Sequence, residues 1–308
     1  MSEQIVTVDI GGTHITCAAI QTANGMVAEG TLSREICSHQ AASGEILQRW
    51  AAALNATIAK LEASDIAGIG FAIPGPFDYR NGVSKMKHKF AGLYGLHIPT
   101  ALAPLLTTGD RLPMRFLNDA TAFAVGEAWV GEGRGFRKVV VITLGTGFGS
   151  AFIEDGVPVV AREDVPREGC LWHLPFADGI ADAYFSTGWF ERAYTKATGN
   201  KVEGVKTLMD KAGDEPLARG IFLEFGRNLA ACLAPWLKSF GAEILVVGGN
   251  ISHALPLFEA PLQEGLQKKG VEIAISLSRM YETAALVGGA RLLDDTFWKQ
   301  VSAQLPNI

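Results

Sequence analysis

Cysteine is scarce in this chain. Four occur in 308 residues, at positions 17, 37, 170 and 232, and none is near enough to another to form a CxxC pair. That excludes a redox motif or a zinc ribbon and fits a reducing compartment, so the protein is expected in the cytoplasm. Positive charge is also short: 27 lysines and arginines stand against 32 acids, a formal net charge of −5. A general nucleic-acid binder needs a basic field, so no nucleic-acid partner is expected. A nucleotide site, which needs only a few local dipoles, stays open. No apolar run reaches the ~20 residues that span a bilayer, so no membrane partner is expected either. The apolar start carries Asp9 with no basic residue ahead of it, which is unlike a signal peptide. Gly-Lys-Ser and Gly-Lys-Thr are missing too, and with them any Walker A loop.

Apolar residues are plentiful, 48% against 19% charged, the balance of a packed globular protein. The length fits one large domain or two medium ones. Residues 5–10 and 14–20 read as strands around Gly11-Gly12-Thr13. Asn24-Gly25 marks a hairpin turn into a third strand at 26–32. Leu47, Trp50, Ala51, Leu54, Ile58 and Leu61 recur at helical spacing and predict a helix over 44–62. A buried strand at 66–73 ends at Pro74-Gly75-Pro76, and residues 77–99 read mostly as loop. A strand at 113–119 ends at Asn118-Asp119, with a helix following over 120–129.

Then the plan repeats: strand 138–144, the loop Gly145-Thr146-Gly147, strand 150–154, an Asp155-Gly156 turn, strand 157–161. Helices at 188–198, 216–240 and near 255–268, with strands at 243–249 and near 271–275, complete the second half. Such repetition predicts two similar α/β domains with a ligand cleft between them. The N-terminal domain covers residues 1–117, rejoined by a C-terminal helix at 292–303; the C-terminal domain covers 118–291.

Each glycine loop alone reads as a hairpin turn. Two in matched positions of a repeat point to a two-sided phosphate clamp. A dinucleotide fingerprint would open a helix, whereas here GTGFG runs into SAFIEDG, which alternates and turns. Backbone N–H groups and the hydroxyls of Thr13 and Thr146 can donate to phosphate oxygens. Asp9 just ahead of the first loop repels phosphate unless a cation intervenes, which suggests Mg²⁺ held through water. Asp119, at a strand-to-helix junction, is placed to take a proton from a hydroxyl nucleophile. Asn118 beside it can both donate to and accept from a ligand hydroxyl or cap the helix. Lys85, Lys87, His88 and Lys89 read as a solvated basic loop, or less readily as a patch that attracts anions.

DIGGT, LNDATAFAVGE, TLGTGFGS and VVGGN occur in the order and spacing of the ROK family, and the chain resembles that family of sugar kinases and sugar-responsive repressors over essentially its whole length. The resemblance implies the two-domain actin-like, ribonuclease-H-like ATPase fold. It implies that Asp9, Gly11, Gly12 and Thr13 form a first phosphate loop, Gly145, Thr146 and Gly147 a second, and that Gly248, Gly249 and Asn250 line an adenosine pocket. For the last three a strand-to-helix turn, capped by Asn250 or Ser252, serves as well. The resemblance further makes Asp119 the general base and Asn118 a sugar ligand, with Pro74 and Gly75 in a sugar-side loop. A homodimer is expected by resemblance only.

The chain departs from the family pattern in one segment, REGCLWHLPFADG. The zinc cysteines are missing, so no zinc is expected. His173 matches the family histidine, as a sugar ligand or a packed core histidine. The family glutamate falls on Cys170; Glu168, two residues earlier, can take its place only if the loop is remodelled. Trp172 could stack on a sugar face, although a tryptophan beside Leu-Pro-Phe is more often core.

The function expected from these residues is ATP- and Mg²⁺-dependent phosphorylation of a hexose, at O6, with glucose the first candidate and an N-acetylhexosamine the second. A different class of function is a non-catalytic sugar-binding regulator acting through protein partners; with the first loop so near Met1, a preceding DNA-binding module is not expected. A third, another actin-like ATPase, is disfavoured by LNDA and by the chain length.

Overall fold

Runs of valine, isoleucine and threonine build a five-stranded sheet at the start of the chain, and glycines decide how closely its helices approach. The computed structural model describes residues 3–305. They form two compact units. One holds the chain up to Arg134, Gly156–Pro158 and the stretch from Glu282 onward; the other holds Gly135–Asp155 and Val159–Tyr281.

In the first unit, β1 (Gln4–Ile10) pairs antiparallel with β2 (His14–Gln21), and β2 with β3 (Ser33–Ile36). Helix α1 (Ser43–Ile58) buries Ile46, Trp50 and Leu54. β4 (Ile66–Ile73) runs parallel to β1, and β5 (Met114–Asn118) parallel to β4, giving the order β3-β2-β1-β4-β5. Asp9 lies opposite Ala72, and Ile73 opposite Asn118. The parallel register therefore brings three segments to one edge of the sheet: the first glycine loop, Pro74-Gly75, and Asn118-Asp119. Carboxyl ends of parallel strands are where α/β sheets present ligand groups. Helix α2 (Asp119–Val130) starts at that edge.

The second unit repeats the plan. β6 (Lys138–Leu144) pairs antiparallel with β7 (Phe148–Glu154) around the second glycine loop. Helices α3 (Thr187–Thr198) and α4 (Pro216–Phe240) precede β8 (Ile244–Gly248), which is parallel to β6; α5 (Leu255–Lys268) and β9 (Ala274–Leu277) follow. Phe225 sits among Phe185, Phe190 and Phe258 in its core. The chain then rejoins the first unit as α6 (Thr283–Arg291) and α7 (Asp295–Gln304).

The structure differs from the sequence reading in several places. The first unit runs past residue 117, to Arg134, and is resumed at Glu282, because α2 and α6 pack backbone against backbone. A Cβ built on Gly288 would lie 1.7 Å from the Ala122 carbonyl oxygen, and one on Gly126 2.1 Å from that of Ala284. The strand expected at 26–32 shrinks to a single bridge between Ile20 and Val27. The buried Thr31 hydroxyl accepts the Ala19 N–H at 3.1 Å, taking the place of a strand carbonyl, and pairing resumes only at Ser33. Only Val157–Pro158 of 157–161 is strand, and the strand expected near 271–275 lies at Ala274–Leu277. Among the described residues no helix is long and apolar enough to cross a membrane.

Candidate active site

Asn118 is the N-cap of α2, its Oδ1 accepting the Thr121 N–H at 3.2 Å. The same side chain does more than cap. Its Nδ2 donates to Asp119 Oδ1 at 3.0 Å and to the Tyr79 hydroxyl at 3.3 Å. The Ala120 N–H donates to Asp119 Oδ1 as well, at 2.9 Å. Two donors on one oxygen fix the carboxylate's orientation and leave Oδ2 to accept a proton. Gly75 lets Tyr79 come this close to the loop: a Cβ there would lie 3.0 Å from the Tyr79 hydroxyl.

Asp9 and Asp119 are both only partly exposed, and burial raises both carboxyls above the ordinary range. Asp9 is pushed up to about 7, by burial first and then by the negative charges of Asp119 and Glu282, while Lys89 and Arg34 act the other way. For Asp119 burial is again the main cause; Lys89, the Ala120 N–H and the Asn118 amide favour its ionised form. Lys89 favours the ionised form of both.

The glycines of the two loops are not required by turn geometry. None of Gly11, Gly12, Gly145 and Gly147 has φ in the left-handed region. A Cβ on Gly145 would meet no protein atom within 4 Å, and one on Gly12 only the end of Lys89, Cε at 3.4 Å and Nζ at 3.9 Å. What a side chain would obstruct there is the approach of something other than this protein's packing. The first loop is braced from behind. The Gly12 carbonyl accepts from the His39 N–H at 3.2 Å and lies 3.0 Å from His39 Nδ1, which must carry its proton to bond a carbonyl. The hydroxyl-bearing residues Thr13 and Thr146 are exposed.

In the second unit, the Gly145 carbonyl accepts from the Thr187 N–H at 2.8 Å and its hydroxyl at 3.0 Å. Asp182 accepts the Phe148 N–H at 2.7 Å beside Gly147. Gly248 pairs with Thr143, so Gly248, Gly249 and Asn250 emerge next to this loop. Gly249 has φ +81°, and a Cβ on it would lie 2.4 Å from the Leu144 carbonyl oxygen. It is also the N-cap of the turn Asn250–Ala254, with no side-chain cap, so neither Asn250 nor Ser252 plays that part. Asn250 is exposed.

The divergent segment is pinned to β7. The Ser150 hydroxyl donates to the Gly169 carbonyl at 3.0 Å and accepts the Leu171 N–H at 2.8 Å. Between them Cys170 Sγ donates to the Glu168 carbonyl at 3.3 Å. Glu168 has a left-handed φ of 60°, and its carboxylate pairs with Arg167 at 3.2 Å. Trp172 is 47% exposed and meets His173 edge-on at 5.3 Å between ring centres. It is not a core residue, and His173, partly exposed, is not a packed core histidine.

The sequence reading did not assign Lys89, Tyr79 or Asp182 to these surroundings. The sequence alone groups Lys89 with solvated charges, and the burial of its neighbour Phe90 helps set it apart. Among the described residues no group of three His, Cys, Asp or Glu is placed to hold a metal ion. The first loop still suits Mg²⁺, which keeps most of its waters and is bound through one or two carboxylates plus substrate phosphates. Asp119 and Glu282 add, after burial, to the rise of the Asp9 carboxyl, and a cation there would relieve that repulsion.

Comparison with known proteins bears on the same residues. A glucokinase of Thermotoga maritima is 26% identical over 85% of this chain and 86% of its own. An N-acetyl-D-glucosamine kinase of Pectobacterium carotovorum is 30% identical over 52% of this chain and 60% of its own. The crystal structure of a ROK hexokinase from Thermus thermophilus superposes with a TM-score of 0.74, at 23% identity, over 93% of this chain and 96% of that one. It shares the actin-like α/β fold. The ROK family model matches residues 5–296, which include both glycine loops, Asp119 and the divergent segment around Cys170, and the chain belongs to the ROK family.

Proposed function

We propose that this sugar kinase transfers the γ-phosphoryl group of ATP to a hexose hydroxyl, O6 of glucose first, with Asp119 as general base. The observation that carries the reading is the fixed carboxylate of Asp119, at the same sheet edge as the first glycine loop. A sugar hydroxyl is a weak nucleophile. Oδ2 of Asp119 would take its proton as the phosphoryl group leaves ATP. Asn118 spends its amide on Asp119 and Tyr79, so it acts first by orienting the base and only then by reading sugar. Gly11, Gly12 and Thr13, with Gly145, Thr146 and Gly147, would hold phosphates by backbone N–H groups and hydroxyls. Gly248, Gly249 and Asn250 would lie along the adenosine. Mg²⁺, when bound, neutralises phosphate charge, and Asp9 is the residue that would hold it, through water.

Pro74 and Gly75 support the sugar side through Tyr79. His173, Glu168 and Cys170 are the further candidates for sugar contacts, and Trp172 offers a stacking face. An N-acetylhexosamine is the second substrate class, in keeping with the matching N-acetyl-D-glucosamine kinase. Coupled ADP release, measured over hexoses, hexosamines and N-acetylhexosamines with ATP and Mg²⁺, tests the reading. Turnover of at least one is expected. Turnover of none, with sugar binding retained, would favour the regulator.

Cys170→Glu tests the divergent segment. A carboxylate there adds two strong acceptors where a thiol offers weak ones. It is expected to change KM or the ranking of sugars by about tenfold, the worth of one charge-assisted hydrogen bond, with little effect on kcat for the preferred sugar. If steady-state kinetics show neither change, Cys170 does not stand at the sugar.

A further inference from the structure

Lys89 stands out once the charges around the first loop are counted. Its neighbour Phe90 is fully buried, edge-on to Trp50 at 5.7 Å between ring centres. The Phe90 N–H donates to the His39 carbonyl at 3.1 Å, and His39 in turn holds the Gly12 carbonyl. Two buried rings and a run of backbone hydrogen bonds thus fix where the chain at residue 89 lies relative to the loop. Lys87 and His88 are exposed, and Lys87 lies over the Tyr94 ring, whereas Lys89 is partly buried. Its Cε and Nζ lie 3.4 and 3.9 Å from where a Cβ on Gly12 would stand, so the end of the side chain lies against the loop. Among the described residues Lys89 makes no ion pair, although its charge bears on both Asp9 and Asp119.

We propose that the Lys89 ammonium is a second catalytic group, which binds the γ-phosphoryl group of ATP during its transfer. The inference rests on the kinase reading above and adds to it. A phosphoryl group in transfer carries its charge on three outer oxygens, and catalysis consists mostly of placing cations and donors around them. An ammonium is a compact point charge with three donors, suited to oxygens whose positions shift during reaction. Placed beside Gly12, it supplies that charge from the protein's own side of the loop. The carboxylate of Asp119 receives the hydroxyl proton, the oxygen so freed bonds to phosphorus, and the bond from phosphorus to the ADP oxygen breaks. Lys89 keeps its proton throughout.

The test compares Lys89→Met and Lys89→Arg with wild type. Wild-type turnover of a sugar in the panel is measured first; its failure would count against the kinase reading alone. Calorimetry then gives the affinities for AMPPNP and ADP, each with Mg²⁺, and for the sugar without nucleotide. Lys89→Met is expected to weaken AMPPNP about tenfold or more with ADP and sugar affinities within twofold, and to lower kcat about 100-fold or more. Lys89→Arg is expected to recover part of both. Equal losses for AMPPNP and ADP, or a loss confined to the sugar, would overturn the assignment. So would a fall in kcat that vanishes at pH 9, because it would mean that Lys89 only helps to keep the carboxylates ionised. Unchanged melting temperatures keep folding out of the comparison.

Discussion

Asp119→Asn is expected to lower kcat by about 1,000-fold or more, within the range general bases contribute, while sugar affinity stays within a few-fold of wild type. The substitution keeps size and shape, and the amide oxygen can still accept from the Ala120 N–H. Only the proton acceptor is lost. Steady-state kinetics with calorimetry for the sugar separate the two effects, and a kcat near wild type would end the base assignment. The pH dependence has a definite sign. Burial raises the Asp119 carboxyl, and the ionised form is the active one. Activity is therefore expected to fall as pH drops, along a limb that lies above the ordinary carboxylate range of about 4. Asp9, pushed up to about 7, is expected to add to that fall, since in the proposed function its ionised form is the one that would hold Mg²⁺. In Asp119→Asn the acid limb belonging to the base should vanish from what activity remains.

Gly288→Ala is expected to cost about 4 kcal/mol or more of stability, in the range reserved for exceptional substitutions. The new Cβ would lie 1.7 Å from the Ala122 carbonyl oxygen and 3.0 Å from the Gly126 nitrogen. Both are backbone atoms of α2, which no side-chain rotation can move aside. The helices must part, and a helix pair that parts loses close packing along its whole length. Gly145→Ala is the matched control. Its Cβ meets nothing in the protein, so its melting temperature should stay near wild type while its nucleotide affinity falls. Urea and thermal unfolding of the two variants decide the matter. A Gly288→Ala protein as stable as wild type would mean that the seam between α2 and α6 is looser than described.

Both glycine loops, and the Asp119 junction, were legible in the sequence because they depend on local chemistry. Apolar runs ending in glycines, and a polar pair between a strand and a helix, leave their mark within a dozen residues. What escaped depends on contacts between distant parts of the chain. Gly126 and Gly288 stand 162 positions apart, and nothing near either says that they face one another. That seam is why the first unit extends beyond residue 117. The third strand was misplaced because a single buried hydroxyl, Thr31, substitutes for a backbone partner. Lys89 was hidden among three other basic residues, and only the burial of Phe90 and the brace through His39 separate it from them. The turn at Gly249 was legible as a turn, but its cause, the Leu144 carbonyl beneath it, was not. In the divergent segment, Trp172 reads as core by its neighbours and proves exposed because Ser150 pins the chain on either side of Cys170.

The glycine seam has a consequence for how this site can change. Asp119 is the first residue of a helix whose far side admits nothing larger than hydrogen at Gly126, against a partner with the same restriction at Gly288. Side chains larger than hydrogen are closed out along that contact, which helps hold the helix that begins at Asp119 in place. The segments proposed for sugar contacts, Pro74-Gly75 and Glu168 to His173, lie outside that helix, so a change there need not move Asp119. The proposed chemistry is held on a helix that cannot shift without parting from its neighbour, and the proposed sugar contacts lie outside it.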